Sequence, residues 1–271
     1  MRRPWLVHAA LLLAVAVIGF PLYYAAVIST QSLPEVLSRP PKLWPSTYAA
    51  ENYLTAWEKA GMGRLLLNSA VVALGVAVGK IAIALLSAFA LVYFRVRGAR
   101  PLFGLVLLTL MLPLPVRIIS TYEVVSALGW IDTYAGLVVP LVASATATIV
   151  FRQFYLTVPD ELAEAAQVDG AGPLRFFAQI LLPLSVPSMA ALFVVLFIYG
   201  WNEYLWPLMI TNTQEMRVVV IGLEVLTPRY GTELPTYNVL MAGALMALLP
   251  PLVVILALQR WFIGAIMGGE K

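Results

Sequence analysis

Six stretches of this sequence are long and apolar enough to cross a lipid bilayer, and that one feature closes off most folds. A helix needs about 20 mainly apolar residues to span the hydrocarbon core. Runs of this kind occupy 6–28, 68–94, 102–122, 134–151, 186–210 and 237–258. The third is interrupted by Pro113 and Pro115, and the sixth contains Pro250 and Pro251. Inside lipid every backbone N–H and C=O must be satisfied internally, so only helices and closed barrels can span. Ten-residue stretches of alternating polar and apolar residues, the mark of a barrel strand, are missing from the sequence. The expectation is an all-α integral membrane protein with six transmembrane helices. No repeat, low-complexity tract or linker divides it, so it reads as one membrane domain over residues 1–271.

Composition excludes the main alternatives. Charged residues make up 11% of the chain and apolar ones 61%, where a soluble domain carries roughly 25% charged residues. So little charge cannot cover a soluble globule, which rules out a soluble enzyme, a disordered chain and a nucleic-acid-binding domain. Cysteine is absent, which removes disulfides, thiolate metal sites and thiol catalysis. His8 is the single histidine. It reads as an interfacial or packing residue, and one histidine argues against a histidine metal site. The first apolar run exceeds the 7–15 residues of a signal-peptide core, so it reads as a retained helix.

Six spans put both termini on one side. Arg2, Arg3, the RVRGAR turn at 95–100 and Arg260 concentrate positive charge beside span ends. The positive-inside rule places these segments in the cytoplasm. Both termini and the connection at 152–185 are then cytoplasmic, and 29–67 lies outside. That outer segment is rich in Pro, Trp and Tyr and predicts a cap with a short helix near 50–59.

The connection from Thr157 to Pro187 reads TVPDELAEAAQVDGAGPLRFFAQILLPLSVP. Its local pattern is helix, glycine break, helix. Thr157 or Asp160 can cap the first helix, with Pro159 in its first turn. Asp160, Glu161 and Glu164 sit near its N-terminus, where the helix dipole favours negative charge. Gly170 is placed to end it in a left-handed conformation. Pro173 opens the second helix and Pro183 is expected to end it. By spacing alone this could be an amphipathic helix pair lying on the membrane.

Glu164-Ala165-Ala166, three residues, Gly170, nine residues, Ile180, one residue, Leu182-Pro183 resembles, at every signature position, the EAA loop of binding-protein-dependent ABC importer permeases. In that family the loop forms coupling helices that dock in a groove of a cytoplasmic ATPase. The resemblance implies that Glu164, Ala165, Ala166, Gly170, Ile180, Leu182 and Pro183 couple to the ATPase. Asp169 lies beside the signature and, like Glu164, can meet basic groups on the partner. Six spans with this motif between the fourth and fifth resemble the carbohydrate-uptake branch, similar to maltose permeases. LSAFA at 86–90, SATAT at 144–148, FIYGWN at 197–202 and YLWPL at 204–208 resemble the sn-glycerol-3-phosphate uptake permeases of that branch. This similarity runs through most of the chain and is weakest in the outer loops at 29–64 and 211–236.

The resemblance implies a multi-pass inner-membrane subunit with a second homologous permease, two ATPase subunits and an external substrate-binding protein. ATP and magnesium would be bound by the ATPase, so no cofactor is expected in this chain. The implied substrate is a glycerol phosphate or glycerophosphodiester, with a neutral sugar or oligosaccharide as the alternative.

Polar residues inside spans carry information because a charge at the bilayer centre costs at least about 2.5–3.5 kcal/mol. Lys80, Arg117, Asn202 and Glu203 are therefore candidate substrate-pathway residues. Each has a plainer reading. Lys80 could pair with a helix-end carbonyl or snorkel toward water. Arg117 could be interfacial, and Glu203 could pair with a base inside the bundle. Trp201 and Trp206 are expected to be interface anchors rather than ligand stackers. The phosphate-binding pattern G-x-x-x-x-G-K-[ST] is absent, no serine has a histidine base, and no acidic pair is positioned for hydrolysis. The chain reads as a non-catalytic transport subunit. A membrane-embedded lipid enzyme would need clustered acids or histidines, and a secondary transporter usually carries internal repeats.

Overall fold

A computed structural model of the chain describes residues 4–94, 98–110, 114–227 and 236–267. Among the described residues the regular structure is helical, without a strand. The order is α1 (Pro4–Ile28), α2 (Leu33–Val36), α3 (Ala49–Ala60), α4 (Met62–Tyr93), α5 (Ala99–Leu110), α6 (Leu114–Ala127), α7 (Tyr134–Val138), α8 (Ala145–Tyr155), α9 (Asp160–Val168), α10 (Pro173–Phe176), α11 (Leu182–Leu184), α12 (Val186–Trp201), α13 (Leu205–Ile210), α14 (Val219–Gly222) and α15 (Tyr237–Met267). The outer helix expected near 50–59 is α3.

Helices α1, α4 and α15 each contain a stretch able to cross a membrane unaided. They contain the first, second and sixth apolar runs. The third run falls on α5 and α6; Pro113 lies outside the described residues, as do Arg95 and Arg97 of the basic turn.

The fourth and fifth runs are not single helices. In the fourth, Pro140 sits in a 3₁₀ turn at Val139–Leu141, and the chain bends by 48° before α8 begins. Ser144 restarts the helix by accepting a hydrogen bond from the Ala147 N–H at 3.2 Å. In the fifth, α12 has 16 residues, about 24 Å of helix at 1.5 Å per residue. It stops at Trp201, with Asn202 as the capping residue. The Asn202 amide folds back onto the Ile198 carbonyl at 3.0 Å and closes the end.

The chain groups into two compact units, Met1–Leu67 with Val218–Leu249, and Asn68–Arg217 with Pro250–Lys271. In the first, Ala56, Leu226, Val239 and Ala242 form a small apolar core. Two buried amides hold the outer segment to it. Asn52 donates to the carbonyls of Ser29 (2.9 Å) and Gln31 (2.8 Å) and accepts from Asn238 Nδ2 (2.8 Å). Gln31 donates to the carbonyls of Lys42 and Trp44.

In the second unit, Gly75 and Gly79 lie one turn apart on α4. A Cβ on Gly79 would come within 2.6 Å of Val142 Cγ1, and one on Gly75 within 3.0 Å of Val138 Cγ1. Small residues at this spacing let helices approach closely, and here they admit the bent segment that precedes α8. Asn68 donates to the carbonyls of Glu215 (2.7 Å) and Arg217 (2.8 Å), and Tyr134 donates to its Oδ1 at 2.6 Å. Trp201 and Trp206 are not interface anchors but core residues, 3% and 1% exposed. Trp206 Nε1 donates to the Gly136 carbonyl at 3.0 Å, and Trp201 stacks on Phe197. Burial with a satisfied indole N–H accounts for the place of Trp206 in the core.

Candidate functional site

The segment carrying the EAA pattern folds as a short, braced hairpin of helices. Pro159 occupies the N-cap position of α9, and Asp160 is the first helical residue. The expected caps differ: Thr157 Oγ1 instead donates to the Phe154 carbonyl at 2.7 Å and serves the end of α8. Gly170 has φ +73°, the left-handed geometry expected of it. Its N–H donates to the Gln167 carbonyl, and the Ala171 N–H reaches back to the Ala166 carbonyl at 2.8 Å. Pro173 opens α10 as expected.

Pro183 does not end the second helix. The helix widens into a π turn at Phe177–Leu181, passes Pro183 and stops at Ser185, bending 70° into α12. Proline removes one N–H and crowds the carbonyl four residues back. The wider turn just before it accommodates both effects, and π turns recur at functional sites.

Burial sorts the signature residues. Ala166 is buried; Ile180 and Leu182 are half-buried; Glu164, Ala165, Asp169, Gly170 and Pro183 are exposed. Two apolar residues flank the glycine turn in the open: Val168 is 87% exposed and Leu174 73%. Neither belongs to the signature. Their one sequence signal is an apolar side chain next to Asp169 or Pro173 in an otherwise polar turn.

The inner face packs on the end of α4 through aromatic rings. Tyr93 meets Phe176 edge-on at 5.2 Å, and Phe89 meets Phe177 at 5.0 Å. Ala163 and Ala166 line a cavity of about 360 Å³ beside these rings. Nine residues earlier on α4, roughly 13 Å of helix, stands Lys80.

Lys80 lines a second cavity, of about 410 Å³, with Thr109, Arg117, Ser144, Thr146 and Tyr199. The Lys80 side chain is buried, and its ammonium sits 3.9 Å from the Tyr199 ring centroid. This is a cation–π contact, neither snorkelling nor a helix-end carbonyl. Arg117, exposed on α6, lines the same cavity. Glu203 is buried. Its carboxylate attracts Lys80, and Arg117 repels it. Asn202 is exposed and spends its amide on the end of α12, away from this cluster. Tyr199, whose ring face carries Lys80, was not singled out by the sequence.

Comparison with known proteins accords with this architecture. Residues 80–267 match the family described as binding-protein-dependent transport system inner membrane component. The chain is 48% identical to the sn-glycerol-3-phosphate transport system permease protein of Rhizobium meliloti (strain 1021), over 97% of this chain and 96% of that one. It is 46% identical to the protein of the same description in Escherichia coli O1:K1, over 100% and 99% of the two chains. Among solved structures, a chain of a bacterial ABC transporter involved in import of the acidic polysaccharide alginate superposes with a TM-score of 0.84. That match has 20% identity and covers 96% of this chain and 97% of that chain. The chain belongs to the family of inner membrane components of binding-protein-dependent transport systems.

Proposed function

We propose that this chain is a permease subunit of an ATP-driven importer that moves sn-glycerol-3-phosphate, or a glycerophosphodiester, across the inner membrane by alternating access. The observation that carries the substrate is the identity of 46–48% over nearly the whole chain to sn-glycerol-3-phosphate transport permeases. Two basic side chains lining one cavity support it, because a phosphate ester entering a low-dielectric bundle needs charged donors. A neutral sugar carries no charge for them to offset.

The full assembly has a second homologous permease, two ATPase subunits that bind ATP and magnesium, and an external substrate-binding protein. The chain crosses the membrane six times with both termini and the α9–α10 hairpin in the cytoplasm. Glu164, Ala165, Asp169 and Gly170 face the ATPase groove, and Val168 and Leu174 insert into it. Ala166, Ile180, Leu182 and Pro183 hold the hairpin's inner side. ATP-driven closure of the ATPases pushes the hairpin, the rings of Tyr93 and Phe176 pass the push to α4, and α4 moves Lys80. Lys80, Arg117 and Glu203 line the pathway; Asn202 shapes the helix end that presents Glu203.

Growth tests this directly. Cells that obtain phosphate only as sn-glycerol-3-phosphate through this complex should stop growing when the chain is deleted and recover when it is restored. Growth unaffected by the deletion would contradict the proposal.

A further inference from the structure

We propose that the N-terminus of α8, together with Lys80 and Arg117, forms a seat for a phosphate group, and that Glu203 is a built-in counter-ion competing with that phosphate for Lys80. This rests on the substrate reading above for the identity of the whole molecule, but not for the charge of the group bound.

The helix supplies the first part. α8 has 11 residues, and Ser144 spends its hydroxyl on the Ala147 N–H. The N–H groups of Ala145 and Thr146 come earlier and have no helix carbonyl to bond. Ala145 and Thr146 both line the cavity of about 410 Å³. Unsatisfied N–H groups and the positive end of the helix dipole together favour an anion there.

Lys80 supplies the second, independent part. Its side chain is 7% exposed, yet it lines the same cavity. Among the described residues it forms no salt bridge. Its ammonium rests on a ring face, which accepts no hydrogen bond of the ordinary kind, so its donors remain available. Arg117 adds a planar fork suited to phosphate oxygens.

Glu203 completes the device. It is 8% exposed, and its carboxylate attracts the Lys80 ammonium. Tyr199 carries the cation on its ring face. Glu203 partly balances Lys80 while the seat is empty, and this limits how tightly a phosphate is held. A transport site must release what it binds, and an internal competitor provides that release.

The test uses the assembled transporter in nanodiscs. This chain has no cysteine, so Thr109→Cys introduces its one thiol, exposed on the cavity wall. Modification by an anionic methanethiosulfonate is followed by mass spectrometry of this subunit while inorganic phosphate is titrated. Phosphate should slow the labelling. Lys80→Gln or Arg117→Gln should weaken that protection about tenfold. Glu203→Gln should strengthen it about threefold or more, a gain that misfolding cannot imitate. Absence of protection, protection indifferent to Lys80→Gln, or weaker protection in Glu203→Gln overturns the seat. If phosphate protects but sn-glycerol-3-phosphate neither protects nor is transported, the seat stands and the substrate reading falls. If sn-glycerol-3-phosphate is transported while neither anion slows labelling, the seat falls and the substrate reading stands.

Discussion

Gly170 separates backbone geometry from side-chain contact, because a Cβ added there would meet nothing within 4 Å. What remains is its φ of +73°. An L-residue with a Cβ pays about 1–2 kcal/mol to hold the left-handed conformation. That reduces the population of the hairpin's turn by about 5–30-fold. Asparagine tolerates this conformation better than alanine, and a β-branched residue tolerates it worse. The expected order of coupled transport is therefore Gly, Asn, Ala, Val, from best to worst. The assay is ATP-dependent uptake divided by ATP hydrolysed in proteoliposomes, with thermal denaturation of the subunit as a folding control. Gly104→Ala is the matched control: that position lies within α5, its Cβ also meets nothing, and alanine favours a helix interior. The reasoning is refuted if Asn uncouples as severely as Val, or if all three variants transport normally.

Three further outcomes follow from single features. Val168→Glu should leave the subunit folded, since 87% of this residue is exposed, while weakening ATPase co-purification and uptake together. Asn68→Leu removes two bonds to carbonyls and one acceptor of the Tyr134 hydroxyl; leaving those groups unpaired should cost about 2–4 kcal/mol, read as a lower unfolding midpoint in denaturing detergent. In the outer segment, the Lys42 ammonium beside Glu35, with the Ser32 N–H, holds its carboxyl down at about 2 against a usual 4.5. A lowered folded-state pKa gives a contribution that is complete above 4.5 and disappears as pH falls through about 2. Proteolysis of residues 33–48 should thus stay flat from pH 7 to about 5 and rise below that. Glu35→Gln should remove the pH dependence.

The parts of the structure that the sequence revealed are those governed by local chemistry. The long apolar runs at 6–28 and 237–258 became α1 and α15 because apolar length alone decides a straight span. Gly170 and Pro173 were placed correctly because left-handed turns and first helical turns have strong residue preferences. Breaks inside apolar runs were harder to see. Ser144 restarts a helix, and α12 ends at Trp201, yet in hydropathy both breaks sit within continuous stretches. The polar cluster was half legible. Lys80, Arg117 and Glu203 are conspicuous as charges in spans, but the meeting of Lys80 and Arg117 beside Tyr199 joins α4, α6 and α12. No local pattern encodes that meeting. Trp201 and Trp206 misled because tryptophan suits both a membrane interface and a core, and only the Gly136 carbonyl decides for Trp206.

The most direct measurement is uptake by the purified four-component transporter in proteoliposomes, supplied with its external binding protein and with ATP inside or withheld. The expected result is ATP-dependent accumulation of radiolabelled sn-glycerol-3-phosphate, no accumulation of an uncharged oligosaccharide, and a loss of uptake in Arg117→Gln that exceeds its loss of ATP hydrolysis. ATP-dependent accumulation of the oligosaccharide, with sn-glycerol-3-phosphate ignored, would contradict it.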